Sequence, residues 1–515
     1  TWQSEGAGVA VLRGEKPAGK ELKQNVLLVS DDARAGKSAT AINVAADAKF
    51  PKDFVVSENT APRWSKDGSK VFIGIKAQQD TAPAAGAGND EQANLDIWHY
   101  KDTQLQSVQM IQIAQLRRAT FASVVHVASK AFVRLADETI PTVQPTADDK
   151  WAIGRDETPY EYDYSEGEPS RADVYQIDTT TGARTLIVKR NLRSLGASPD
   201  SQWYAWVEGG HVMARNLASG KVVNVDGATK SFINTDDDHA GEKSVWGVAG
   251  WSKDGKAMLL YDKFDLWSLP LDGTKGTNLT AGAGAKDAIQ LRLANALNQD
   301  EPDLAWQPAP PVDDEALYQG GGRAGGAGPS GIDLTKPLTM SAYGEWTKKT
   351  GYFKLPAGGG APTPLIWDDK SIGGAIKAKN ADRVLLTEQT FQEFPDYWMT
   401  NTAFTSPKKI TDANPQISDY AWGSKKLVDY TIGTGKTAKK LQGTLTLPAN
   451  YEPGKKYPML VYIYEIMSNT HHTFSMPVYD DRPHMSAYAS DGYLVFQPDI
   501  VYEIGKPVRK GEAIK

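Results

Sequence analysis

The 515-residue chain carries 57 Lys and Arg against 63 Asp and Glu, a formal net charge of −6, with 40% apolar and 23% charged residues. That length suits two or three globular domains, the acidic balance argues against a nucleic-acid partner, and no apolar run reaches the roughly 18–20 residues of a membrane-spanning helix. Cysteine is absent, which excludes disulfides, thiolate metal sites and a cysteine nucleophile. The chain opens TWQSEGAGVAV, with no initiator Met and no signal-peptide pattern. A processed or cut N-terminus is therefore expected, and a periplasmic or secreted location is favoured over a cytoplasmic one.

One phrase recurs along the first half. It reads APRWSKDGSKVFIGIK at 61–76, TVQPTADDKWAIGRD at 142–156, SLGASPDSQWYAWVEGG at 194–210 and VAGWSKDGKAMLLYDK at 248–263. Each copy has Ser or Thr, any residue, Asp, then Gly, Asp or Ser, followed by an alternating apolar run. Such a phrase predicts a strand, a tight turn and a second, half-buried strand. The steps from Ser65 to Thr146, Ser198 and Ser252 are 81, 52 and 54 residues. A period near fifty predicts a β-propeller with one four-stranded blade per repeat, and six to eight blades fit the length. The wide first step leaves room for an insertion.

Return hairpins are predicted at 173–189, 212–225 and 265–280, turning at TTG, ASG and LDG, and further blades at 340–367 and 378–402. Two segments, near 77–94 and 319–331, are too small and polar to order themselves and are expected as surface insertions. The second, QGGGRAGGAGPSG, lacks the Gly-Lys-Ser/Thr ending of a phosphate loop. At 97–118, Leu105, Val108, Ile111 and Leu116 fall on or near one helical face, so a helical insertion between blades, or a strand plus a helix, is expected. Glu161, Asp163, Glu166 and Glu168 are expected in a solvated acidic loop.

The pattern changes at Trp422, and a domain boundary is placed there, with the propeller over 1–421 and a second domain opening over 422–515. LVDYTIGTGKTAKKLQGTLTLP predicts a long hairpin. YPMLVYIYE reads as a buried strand, and YASDGYLVFQPDIVYEIG as a helix end, a Gly turn and another buried strand. Strand, connection and strand open a doubly wound α/β sheet. No G-x-S-x-G occurs in the chain, so the nucleophile elbow of an α/β-hydrolase is not among these residues.

In order and spacing, the SKDG repeats, FPDYWMTN, NPQISDYAWG, L-x-G-T-L-x-x-P, KKYPMLVYIY and GYLVFQPDI resemble the prolyl oligopeptidase family of serine peptidases. The resemblance covers most of the chain. It implies a propeller over an α/β-hydrolase domain and hydrolysis of short peptides by Ser, His and Asp, with the propeller gating access and the chain cut before the catalytic Ser. It implies no metal or organic cofactor; short peptides are the expected partners, and a homo-oligomer is compatible with it. At Tyr464 the family has a Tyr whose hydroxyl donates to the oxyanion of the tetrahedral intermediate. This chain follows that Tyr with Glu465, Ile466 and Met467, where many relatives have small residues and Pro. Glu465 thus brings a carboxylate beside the oxyanion position.

His471 and His472 are expected to line the substrate region or to serve as plain loop residues. As neighbours they are expected to point apart, and with no Glu at zincin spacing no metal is expected on them. His484, in a later loop, is given no role. Dipeptidyl peptidases of the family hold a substrate's amino terminus with an adjacent Glu pair, which YEYDY lacks. FQEFPDY at 391–397 is expected to pack aromatic rings between blade and hydrolase. Two rival readings are a non-catalytic propeller that binds peptide or protein partners beside a remnant hydrolase segment, and an esterase.

Overall fold

The computed structural model describes residues 1–4, 6–81, 97–165, 169–237, 241–298, 331–476 and 484–501. They fall into two compact units, Thr1–Asn224 and Val225–Lys515. The first unit holds four sheets in chain order, spanning 9–42, 54–134, 143–191 and 193–224. The second holds three of the same kind, spanning 248–278, 289–368 and 371–409, and then a different one from 424 to 498. Among the described residues these make seven sheets of successive antiparallel strands, five with four strands, one with three and one with five. This is the blade pattern of a β-propeller, within the expected six to eight. The sheet over 9–42 carries no copy of the repeated phrase and escapes a search based on it.

Within each unit, apolar faces of successive sheets share cores. Val174, Val188, Tyr204, Trp206 and Leu217 join the third and fourth sheets. Leu259, Leu266, Leu291, Met340 and Leu355 join the fifth and sixth. Each such side chain contributes roughly 1.5–3 kcal/mol by leaving water.

The repeated phrase has one hydrogen-bonding solution. In each copy the first hydroxyl donates to the Asp two residues on: Ser65 to Asp67 at 2.6 Å, Thr146 to Asp148 at 2.8 Å, Ser198 to Asp200 at 2.5 Å and Ser252 to Asp254 at 2.6 Å. The same hydroxyl accepts the backbone N–H five residues on, from Lys70, Trp151, Trp203 and Ala257. All four hydroxyl residues are buried, so the Ser or Thr is a turn staple and not a surface residue. The bond from Ser65 is the main reason the Asp67 carboxyl is held down at about 2.

The residue after each Asp takes the left-handed conformation, with φ of 71° at Gly68, 58° at Asp149, 59° at Ser201 and 70° at Gly255. Gly accepts this freely, whereas other residues need compensation. Asp149 receives Arg63 at 2.8 and 3.1 Å and the Lys66 N–H at 2.9 Å. Ser201 Oγ accepts the Asp148 N–H at 3.0 Å. The two non-glycine copies thus turn their strain into ties between consecutive repeats.

Replacing Ser252 by Ala leaves the buried Ala257 N–H without its partner, while Asp254 Oδ1 keeps the Lys256 N–H. The expected cost is about 1–3 kcal/mol, read as a lower urea midpoint at unchanged slope.

Insertions sit where the period is broken. Between the adjacent strands Lys70–Ala77 and Phe121–His126 lies a helix, Gln106–Arg118, with no buried residue and Ile111 85% exposed. This corrects the expectation of an insertion between blades: the helix is inserted between two paired strands of one sheet, and its apolar residues cover no core. Most of 77–94 and nearly all of 319–331 lie outside the described residues.

The last sheet is of another type. Strands Ser424–Ile432 and Lys439–Leu447 form the expected long hairpin. Leu494–Pro498 pairs antiparallel with the second hairpin strand and parallel with Met459–Val461. Parallel neighbours require a crossover, and the helix Met485–Ser490 lies in it. The strand at 459–461 corrects the sequence reading: it is short and lies at the edge of the sheet, with Met459 and Val461 about half exposed, not buried. Among the described residues it has a neighbour on one side only.

Candidate functional site

In an α/β sheet, ligands gather outside the carboxyl ends of parallel strands. Here those ends carry two residues of interest. Tyr464 lies three residues beyond Val461, after the Tyr462 N–H has made a last bond to the Phe496 carbonyl at 2.9 Å. Its side chain is 44% exposed. Asp499 directly follows the strand Leu494–Pro498 and is only 5% exposed.

Asp499 organises the loop after Tyr464. One carboxylate oxygen accepts the N–H groups of Met467 and Ser468, both at 2.7 Å, and the other accepts the Ser468 hydroxyl at 2.6 Å. Its own N–H donates to the Gln442 carbonyl at 2.8 Å, and its carbonyl accepts the Tyr430 hydroxyl. Burial, with Asp499 nearby, pushes the Tyr430 hydroxyl up to about 12. The Ile500 N–H closes the loop on the Glu465 carbonyl at 2.9 Å. Glu465 itself is forced to a φ of +26°. A non-glycine residue there is strained by roughly 1–3 kcal/mol and persists only where its surroundings dictate it; here they are the Asp499 bonds and the Ile500 bond.

A few residues on, the loop meets the seventh blade-like sheet. Trp422 stacks on Phe474 at 5.1 Å and 5°, Phe394 meets Phe474 edge-on at 5.2 Å, and Phe391 lies 6.1 Å from Trp422. The Trp422 indole N–H donates to the Phe391 carbonyl at 2.8 Å, and the Phe474 N–H to Gln389 Oε1 at 3.0 Å. The aromatic packing expected of 391–397 is this seam.

Beside the seam opens a cleft of about 400 Å³ whose lining includes Asp369, Glu393, Lys425, His471 and His472. Lys425 Nζ donates to the Thr470 carbonyl at 3.2 Å and lies 4.8 Å from the Phe391 ring centre. Among the described residues no carboxylate reaches it within ion-pair distance. Burial lowers its ammonium to about 8. The rings of His471 and His472 lie 4.5 Å apart, which corrects the expectation that they diverge. His471 has helical backbone angles, φ −51° and ψ −44°, so successive side chains turn by about 100° and not by the 180° of a strand. Burial, then the neighbouring His472 and Lys425, lower His471 to about 4. Burial likewise lowers His472, whose Nε2 lies 3.2 Å from Asp369 Oδ1 without hydrogen-bond alignment.

Lys425→Met is expected to raise stability at pH 7 by at most about 3 kcal/mol. The folded ammonium titrates near 8 and the unfolded one near 10.4. The unfolded chain thus binds the extra proton between those values, and the wild-type penalty is full below pH 8 and fades as pH rises towards 10.4. Urea midpoints of both proteins at pH 7 and pH 10 test this: the advantage of Met should shrink at pH 10.

Tyr464 and Glu465 share one loop, and His471 and His472 share the cleft further along it. His484 precedes the helix Met485–Ser490, its carbonyl accepting the Ala487 N–H at 3.1 Å. Of the acidic group, Glu161 and Asp163 lie on the short helix Glu161–Ser165 in the first unit, with Asp163 3.4 Å from Arg190; Glu166 and Glu168 lie outside the described residues. Among the described residues no three His, Cys, Asp or Glu side chains gather as a metal site, and no helix is long and apolar enough to cross a membrane.

Sequence reading missed Asp499 and Lys425. Pro-Asp at the end of an apolar run is the signal that would have found Asp499. Lys425 gives none, since SKKLVDY alternates like any solvated hairpin strand.

No protein-family model matches the chain, and no curated protein does. Among solved structures, it is similar to dipeptidyl peptidase 4 from Porphyromonas gingivalis at 10% identity and a TM-score of 0.47, over 97% of this chain and 64% of that one. It is similar to an acylaminoacyl peptidase from Pyrococcus horikoshii at 11% identity and a TM-score of 0.34, over 97% and 64%. Similarity to a prolyl endopeptidase has 9% identity and a TM-score of 0.37, over 96% and 61%. The chain thus spans under two thirds of the length of each.

Proposed function

We propose that the chain comprises the propeller, over 1–421, and the opening of the catalytic domain, from 422, of a serine peptidase of the prolyl oligopeptidase type. Its substrates are short peptides, and the propeller gates their access. The observation that best supports this is Tyr464, half exposed on a loop tied down at the carboxyl ends of two parallel strands. In this reading a Ser hydroxyl attacks the peptide carbonyl carbon, a His takes its proton and returns it to the leaving amine, and an acid orients the His. None of these three roles is assigned to a residue of this chain. Tyr464 donates its hydroxyl to the developing oxyanion, and Glu465, His471 and His472 line the substrate region.

A second reading is a non-catalytic propeller that binds peptide or protein partners beside a remnant hydrolase segment. Treating the protein from its native source with a fluorophosphonate probe, followed by intact mass, separates the two. A labelled serine in a polypeptide containing this sequence supports the peptidase; an unlabelled protein supports the binding module.

A further inference from the structure

The cleft beside the aromatic seam has an inner end and a rim of opposite character. Inside are Lys425, His471 and His472. His472 is only 8% exposed, and both its Nε2 and the Nδ1 of His471 are buried with no hydrogen-bond partner among the described residues. At the rim Asp369 and Glu393 are 65% and 61% exposed, with Asp369 Oδ1 3.2 Å from His472 Nε2 but out of hydrogen-bond alignment. Lys370, the other cation lining the cleft, is already matched, 3.4 Å from Glu388 and 3.6 Å from Glu393.

Buried polar nitrogens that lack partners are costly, because their hydrogen bonds to water have been given up without return. Here two imidazole nitrogens share that condition on the wall of one cavity, beside an ammonium that spends one of its three donors on the Thr470 carbonyl and has no carboxylate within ion-pair distance among the described residues. Depressed pKa values leave both imidazoles neutral near pH 7, and a neutral imidazole can carry its proton on either ring nitrogen.

We infer that this cleft binds a carboxylate, with Lys425 as the counter-charge and His471 and His472 as neutral N–H donors. One cation and two neutral donors match one charge spread over two oxygens. A phosphate would bring a second charge towards Asp369 and Glu393. The Phe391 ring supplies an apolar wall for the group that carries the carboxylate. In a peptidase of short peptides that carrier is the free C-terminus of the peptide. The inference rests on the peptidase reading for this choice of carrier alone.

Calorimetric titration of the intact protein with N-acetyl-glycyl-phenylalanine, its C-terminal amide and inorganic phosphate tests it. The free acid should bind at least tenfold more tightly than the amide. That preference should vanish in Lys425→Met and persist in Lys370→Met, which removes only the matched rim cation. Equal binding of acid and amide overturns the assignment, as does a preference that survives Lys425→Met, or phosphate competing as well as the acid. Binding is read without turnover. A protein that selects the acid but carries no reactive serine would retain this site and lose the peptidase reading; a labelled enzyme that fails to select the acid would do the reverse.

Discussion

Asp499→Ala is expected to release the loop from Glu465 to Ser468 and to lower stability by about 3–5 kcal/mol. The carboxylate is buried and accepts three hydrogen bonds at 2.6–2.7 Å. Removing it strands two N–H groups and a hydroxyl, each worth roughly 1–3 kcal/mol if it stays buried. The loop escapes part of that cost by opening to water, so the sum is not reached. Opening also frees Glu465 from its positive φ, which further favours the released state. Amide exchange should therefore accelerate first at Met467 and Ser468, and the urea midpoint should fall. Asp499→Asn, which keeps one acceptor oxygen, should fall between. Unchanged exchange at both amides in the Ala variant would show that the loop is held by something else.

How far such features can be read from sequence depends on how local their causes are. The Ser/Thr-x-Asp turn needs six consecutive residues, and the hydroxyl, the carboxylate and the N–H it joins are all inside them. The hairpin turns at Gly182, Gly220 and Gly273 are equally local, each Gly taking a positive φ. Blades were legible for that reason, and the sheet over 9–42 was not, because its turns use other residues. The site lies at the other extreme. Asp499 finds its partners 31 and 32 residues back along the chain. Lys425 owes its surroundings to Phe391 and Thr470, 34 and 45 residues away in opposite directions. The divergence expected of His471 and His472 failed on a smaller point, the helical backbone angles at His471. Tyr464 was found only through the family resemblance; nothing in its own neighbours distinguishes it from Tyr462.

Tyr464→Phe should separate chemistry from architecture. The ring is 44% exposed and lies on a loop held by the Asp499 carboxylate and the Ile500 N–H, so Phe can keep its place with at most about 1 kcal/mol of stability lost. What disappears is one hydroxyl donor. If that hydroxyl meets the oxyanion, its bond strengthens only as charge develops, and its loss appears in kcat with KM nearly unchanged. Loss of a preorganised oxyanion donor costs about 3 kcal/mol or somewhat more, a fall in kcat of roughly 10²–10³-fold. The measurement belongs on the fluorophosphonate-reactive polypeptide containing this sequence, with a short peptide amide as substrate. Asp499→Asn should reduce kcat in the same assay by loosening the loop that carries Tyr464, but, unlike Tyr464→Phe, with faster exchange at Met467 and Ser468. A Phe variant that retains full kcat would remove Tyr464 from the chemistry and leave the strand ends as framework.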